Sequence, residues 1–467
     1  MGLQAIGAKA GRSLLRLRLK SIAAVLLIVI ASGASAADRV FTSFASAKPI
    51  VDEYRDRLPT GLRNADAAKW TGWIKQQDKT IRARLNQGDL DSMVNLLLFG
   101  TSFTKQPRIQ MEHLTEASKA GVLRARVDDL VLGLRDPGGN ERMLFLRRRL
   151  RDQGIDPDTP EGARDTGAFI YNNLLRVAQE SKALAERAAK ATPTTLLDRT
   201  SLFYDRGVSL DTGILPNFSI DRALQDLKER GVLREGQVAR VAVIGPGLDF
   251  IDKNSVSAFD YYPQQTLQPF ALYDSLLRLG LANTQLSMSI FDISLRVIDH
   301  MRRTRDRAAK GDGYMVQLPR DISRPWPPAL IAYWGSLGDR VGTAVTPIRP
   351  PEIFQSLHTR AVQIRPDVVL ACQPVDLNIV LERLNLPATE RFDLMVGTNI
   401  FVYYDAFEQA LALENAGAML KPGGLLLTND RLPEVPRGSM RQAGTTVVQF
   451  DERDASARDA VGWYRKQ

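Results

Sequence analysis

Val238-Ala239-Arg240-Val241-Ala242-Val243-Ile244-Gly245-Pro246-Gly247 is a β-branched run that stops at two glycines one residue apart. A strand with so little polar content reads as a parallel strand covered on both faces, since a strand with one solvated face alternates apolar with polar. The glycines let the backbone approach a ligand where any Cβ would collide. The same pattern also suits a tight turn between a strand and a helix, so by itself it does not decide between the two.

A later segment favours the ligand. Leu286-Ser287-Met288-Ser289-Ile290-Phe291-Asp292 is a second apolar strand ending on an acid. In a doubly wound sheet the ligand crevice lies at the carboxyl ends of the strands, where a carboxylate can accept from both hydroxyls of a ribose. Asp292 can also cap the next helix, Ser294 to Asp306; the ribose reading is the stronger. A nicotinamide-binding Rossmann domain does not fit. Its fingerprint has a third glycine three residues after the second, and an acid roughly 20 residues further on. Here Phe250 takes that glycine's place, and Asp292 lies more than forty residues past Gly247.

Two later segments carry a resemblance. Arg391-Phe392-Asp393-Leu394-Met395-Val396-Gly397-Thr398-Asn399 reads as a fourth strand running on into Ile400-Phe401-Val402-Tyr403-Tyr404-Asp405. Met419-Leu420-Lys421-Pro422-Gly423-Gly424-Leu425-Leu426-Leu427-Thr428-Asn429 reads as a helix end, a Pro-Gly-Gly turn and a fifth strand. In this order the four segments resemble the class I (Rossmann-like) S-adenosylmethionine-dependent methyltransferases. Thr398 to Asp405 is locally similar to the receptor glutamate methyltransferases of bacterial chemotaxis.

The resemblance implies an α/β fold, a doubly wound and mostly parallel sheet, with S-adenosylmethionine as cofactor and S-adenosylhomocysteine as product. It implies that Gly245 and Gly247 approach the donor's amino-acid and ribose parts, and that Asp292 holds the ribose hydroxyls. Thr398 and Asn399 would line the pocket beside the methyl group. Asp376, in Pro374-Val375-Asp376-Leu377, would contact adenine or else cap a helix over Leu377 to Leu384. Tyr403 is a candidate for orienting the acceptor; positioning supplies much of the rate in such a transfer, so no base is named.

Two positions depart from the family. The acid expected two residues before the first glycine is Val243, and the third glycine is Asp249. Asp249 or Asp252 could replace that carboxylate toward the donor's ammonium, Asp249 could cap the adjoining turn, or the pocket could have degenerated. Two insertions, Asp252 to Gln265 and the proline-rich Pro319 to Glu352 with Trp326 and Trp334, read as loops at the ligand edge. They either pack over the sheet or meet an acceptor. A helix is expected from near Thr266.

Upstream, residues 38–195 read as an all-α domain. Trp70, Trp73 and Ile74, then Met93, Leu96, Leu97 and Leu98, recur at helical spacing, and Val122 to Leu134 stops at Asp136-Pro137-Gly138-Gly139. Thr159-Pro160-Glu161 opens a helix expected to reach Ala191, before Pro193. Arg147-Arg148-Arg149-Leu150-Arg151 reads as a solvated helix face rather than a nucleic-acid or lipid contact. Residues 196–235 connect this domain to a methyltransferase-like domain over 236–467, with a helix expected from Arg222 to Glu229 behind Ser219-Ile220-Asp221.

Residues 1–36 have the order of a signal peptide: Lys9 to Lys20 basic, Ile22 to Ile30 apolar, and Ala34-Ser35-Ala36 as a cleavage site. Export to the periplasm or medium is therefore expected, or a cytoplasmic location if the start codon is mis-assigned. No transmembrane span is expected after the leader, since about twenty apolar residues are needed to cross.

With 467 residues two domains are expected. Hydrophobic residues at 44% and charged residues at 25% exclude a disordered chain or a polytopic membrane protein. The leader holds five cations and no acid; removing it from the total of +9 leaves +4, which argues against a nucleic-acid partner. Cys372, the one cysteine, lies in an apolar run and reads as a buried structural thiol. His113, His300 and His358 are far apart and offer no metal-ligand spacing. The expected function is methyl transfer to an acceptor the sequence does not identify. The alternative is an exported, non-catalytic protein that keeps the fold as a binding module.

Overall fold

The computed structural model describes residues 38–467 apart from 59, 110–115, 191–206, 209–212, 252–258, 355, 436–437, 452 and 455–456. The expected signal peptide, Asp252, His113 and the end of the helix expected to reach Ala191 fall outside the described residues. The chain begins with a short strand, β1 (Arg39–Phe41), and then turns helical: α1 (Phe44–Glu53), α2 (Ala67–Phe99), α3 (Glu116–Arg135), α4 (Glu141–Asp152) and α5 (Pro160–Lys190). Asp66 starts α2 by accepting from the Lys69 backbone N–H at 2.8 Å, and Thr159 starts α5 by accepting from that of Gly162 at 2.9 Å. At 33 residues, α2 is about 50 Å long.

After α6 (Ile214–Glu229) the order is β2 (Val238–Ile244), α7 (Gln268–Arg278), β3 (Ala282–Asp292), α8 (Leu295–Ala308), β4 (Tyr314–Asp321), α9 (Pro328–Ser336), β5 (Gly342–Val345) and β6 (Leu357–Ile364). Then come α10 (Pro366–Ala371), β7 (Cys372–Asp376), β8 (Glu382–Leu384), β9 (Phe392–Gly397), α11 (Ala406–Met419), β10 (Leu420–Thr428), β11 (Met440–Gln449) and β12 (Arg458–Lys466). Seven strands form one sheet in the order β11-β12-β10-β9-β2-β3-β7. From β10 to β7 every neighbouring pair is parallel, and β12 is antiparallel to both β10 and β11. The chain order reverses between β2 and β9, which makes their carboxyl ends the switch point.

Interior strands send alternate residues to two cores, as the twofold side-chain period requires. Val241, Val243, Met288, Ile290, Leu394 and Val396 pack with α6 and α7. Ala242, Ile244, Phe291 and Met395 pack with α11 and with Ala47, Ile50, Trp70, Ile74 and Ile81 of α1 and α2. The helical segment thus supplies one face of the sheet. The far half of α2 joins α3, α4 and α5 in a further cluster that also takes Phe250 and Ile251.

The structure corrects several expectations. The helical segment is not purely α, because β1 pairs antiparallel with β8. Residues 400–405 are not strand: Phe401–Tyr403 is a 3₁₀ turn and Asp405 caps α11. Leu377 to Leu384 is not a helix, since β8 occupies its end. Pro319 to Glu352 is not a loop: α9 and β5 lie inside it, and β4, β6 and β5 make a separate small sheet. Pro328 sits at the first position of α9, where its missing N–H costs nothing. Helix α6 begins at Ile214, ahead of Arg222, and α7 at Gln268. Among the described residues no helix is long and apolar enough to cross a membrane. Arg147, Arg149 and Arg151 are ion-paired with Asp158, with Asp89 and Asp152, and with Asp156 and Asp158.

Candidate active site

The parallel strands converge on one cavity of about 740 Å³. Gly245 and Gly247 line it after β2, Asp292 ends β3, Leu377 comes after β7, Thr398 and Asn399 after β9, and Asn429 after β10. Volumes from about 300 to 1,000 Å³ are usual for small-molecule sites. Tyr262, Gln265, Gln317, Trp326, Phe450 and Asp459 also line it.

Gly245 and Gly247 both have left-handed backbone, at φ +61° and +69°. A Cβ on Gly245 would lie 2.2 Å from Cδ1 of Ile400, so a side chain at this left-handed position would have to displace Ile400 from the chain after β9. Asp292 is 5% exposed. Its Oδ1 accepts from the Ser294 backbone N–H at 2.7 Å, while Oδ2 has no hydrogen-bond partner. One oxygen therefore braces the entry to α8 and the other is left over, so the two readings of this acid are compatible. Burial pushes its carboxyl up to about 7; backbone N–H groups of Ser294, Gly247 and Ile293 oppose that rise, and nearby Asp376 adds to it.

Thr398 accepts from Nε2 of Gln268 at 2.8 Å. Asn399 has φ +57° and is the one non-glycine with positive φ among the described residues. It is held by a reciprocal pair: its N–H donates to Oδ1 of Asn429 at 2.8 Å, and Nδ2 of Asn429 donates to its Oδ1 at 2.9 Å. Tyr403 lines the same cavity. Asp249 also lines it, with Oδ2 accepting from the Tyr262 hydroxyl at 2.6 Å and from Nε2 of Gln265 at 3.3 Å. Val243 is fully buried in the apolar core.

Asp376 stands apart from this group. It is ion-paired with Arg82 at 2.7 Å and Arg39 at 3.2 Å, and it is not among the described residues lining the cavity. Of the residues singled out in the sequence, Gly245, Gly247, Asp249, Asp292, Thr398, Asn399 and Tyr403 come together and Asp376 does not.

Sequence reasoning missed Asp430, one residue past Asn429. It accepts from the Ile400 and Phe401 backbone N–H groups at 3.2 and 2.8 Å and so fixes the loop after β9. Burial pushes it up to about 7. An acid at the end of a fifth parallel strand was a usable signal for it. No local pattern marked Gln265, Gln268 or Gln317, which are brought in by tertiary packing. Cys372 is buried, and burial pushes its thiol up to about 12, which removes it as a nucleophile. Among the described residues no group of three His, Cys, Asp or Glu side chains could hold a metal ion.

No protein-family model and no curated protein matches the sequence. Among solved structures the chain is similar to TrmN from Thermus thermophilus at 12% identity, over 54% of this chain and 52% of that one, with a TM-score of 0.25. It thus spans about half of the TrmN chain. It is also similar to the magnesium protoporphyrin IX methyltransferase of Synechocystis PCC 6803 at 10% identity, over 59% and 92% of the two chains, with a TM-score of 0.26. A third similar structure is MtNAS, at 11% identity over 81% and 97%, with a TM-score of 0.24.

Proposed function

We propose that the cavity binds S-adenosylmethionine and that the protein transfers its methyl group to an acceptor entering the same cavity. One observation carries the reading: Asp292 is a buried carboxylate with an unpartnered oxygen, at the carboxyl end of β3 and in one cavity with two left-handed glycines. An unsatisfied buried acceptor is costly, and the two hydroxyls of a ribose would satisfy it. The sheet, parallel over five strands with one reversed strand inserted at its edge, is consistent with the methyltransferase fold.

S-adenosylmethionine brings a methyl group on a sulfonium that is already a good leaving group. The chain's task is then to bind and orient. Gly245 and Gly247 leave room beside the ligand, Asp292 takes the ribose, and Asp249 takes the ammonium in place of the acid missing at Val243. Thr398, held by Gln268, and Asn399 flank the reacting methyl, and Tyr403 orients the acceptor. Calorimetric titration of S-adenosylhomocysteine into residues 38–467 tests the reading. Asp292→Ala is expected to weaken binding at least about tenfold, equivalent to about 1.4 kcal/mol. Unchanged affinity in the variant would remove Asp292 from the site, and no binding to the folded wild type would remove the donor.

We also propose export, on the leader-like order of residues 1–36. Fractionation of the untagged full-length protein checks it; recovery from the cytoplasm alone would contradict it.

A further inference from the structure

We propose that Arg142, on α4 in the helical segment, is a positioning residue for donor binding: it fixes the stretch carrying Asp249 and so sets affinity for the amino-acid end of the donor. The inference rests on the reading of the cavity as a donor site.

Arg142 is 2% exposed, and its fork is spent on the backbone carbonyls of Asp249, Phe250, Asp260 and Tyr262. Nε donates to the Phe250 carbonyl, Nη1 to those of Asp260 at 3.2 Å and Tyr262 at 2.6 Å, and Nη2 to that of Asp249 at 3.0 Å. The ring faces of Phe250 and Tyr262 lie 6.0 and 5.9 Å from its guanidinium carbon. A planar guanidinium with five donors can hold several carbonyls at fixed angles; an ammonium cannot.

The start of α4 is itself fixed. Oδ1 of Asn140 accepts from the Arg142 and Met143 backbone N–H groups, and Glu141 accepts from that of Gln264 at 3.0 Å. Phe145, one turn along, packs edge-on to Phe250 at 5.8 Å. Two residues whose carbonyls Arg142 holds, Asp249 and Tyr262, are also joined through their side chains at 2.6 Å. Both line the cavity, so Arg142 holds the backbone at either end of the contact that aims the Asp249 carboxylate. Burial and the Asp249 charge push the Tyr262 hydroxyl well above its ordinary range, so it stays protonated and keeps donating.

A role in general folding would affect every ligand of the cavity alike, whereas positioning of Asp249 would affect only ligands that carry the amino-acid end. Calorimetry with two ligands separates these outcomes: S-adenosylhomocysteine, and 5′-methylthioadenosine, which has the nucleoside but no ammonium. Wild type is expected to bind both. Arg142→Lys should weaken S-adenosylhomocysteine about tenfold and methylthioadenosine less than about twofold. Tyr262→Phe leaves the carbonyl contacts intact and should weaken S-adenosylhomocysteine alone, by about threefold. It carries the test if Arg142→Lys does not fold. Equal losses for both ligands, or none for either variant, would overturn the proposal while leaving the donor reading standing. Failure of wild type to bind either ligand would overturn both.

Discussion

At the residue scale, the proposed donor binding turns on a few buried groups whose surroundings are unusual. Asp292 has an ordinary value of 3.8 and is raised to about 7 in the folded chain. Between those values the native state keeps a proton that the unfolded state has lost. Its contribution to the stability of the ligand-free protein therefore falls as pH rises through that window, and Asp430 acts in the same direction. Ribose hydroxyls donate to the ionised form, so affinity for S-adenosylhomocysteine should rise from about pH 6 to about pH 8 and become flat in Asp292→Asn. Titrations across that range check this; a wild-type affinity independent of pH would contradict it. Asn399 offers a second test. Asn tolerates left-handed backbone better than Ala, so Asn399→Ala should cost about 1–2 kcal/mol in denaturant unfolding, and Asn399→Gly less. Asp292 was legible because a strand-end acid is a local pattern. The pairing of Asp376 with Arg82, outside the cavity lining, was not legible, because the two lie 294 positions apart in sequence.

At the scale of elements, the parallel strands were readable because burial on both faces writes itself as β-branched runs, as in Val238 to Ile244. What the chain does between strands was less so. The apolar segment after Asn399 looks like more strand, yet the left-handed residue turns it into the cavity wall. Prolines between Pro319 and Glu352 looked like loop markers, but Pro327 and Pro328 lead into α9. Nothing local distinguished Arg142 from the neighbouring arginines of α4. The packing of the glycine loop against the chain after β9 gives a direct prediction. Gly245→Ala would press a methyl into Ile400 at an unfavourable φ, and should cost about 2 kcal/mol or more in thermal or denaturant unfolding. Shortening the neighbour in Gly245→Ala/Ile400→Ala should recover part of that loss; no recovery would show that the backbone alone sets the requirement.

At the scale of the whole molecule, α1 and α2 do not sit beside the sheet but complete one of its faces, and α4 reaches the loop after β2. Residues 38–467 should therefore unfold in a single transition, and a fragment of 207–467 should lose the near-ultraviolet circular dichroism of packed side chains. Two separated transitions in the longer chain, or a native-like fragment, would show that the helical segment and the sheet are independent. The sequence pointed to helices in this region but not to this partnership, because an amphipathic period marks which face of a helix is buried without naming what buries it. Donor binding is tested most directly by a crystal structure of residues 38–467 grown with S-adenosylhomocysteine. The ribose hydroxyls are expected on the carboxylate of Asp292, with the ammonium beside Asp249. A ligand elsewhere, or density absent from a cavity that binds nothing in solution, would contradict the assignment.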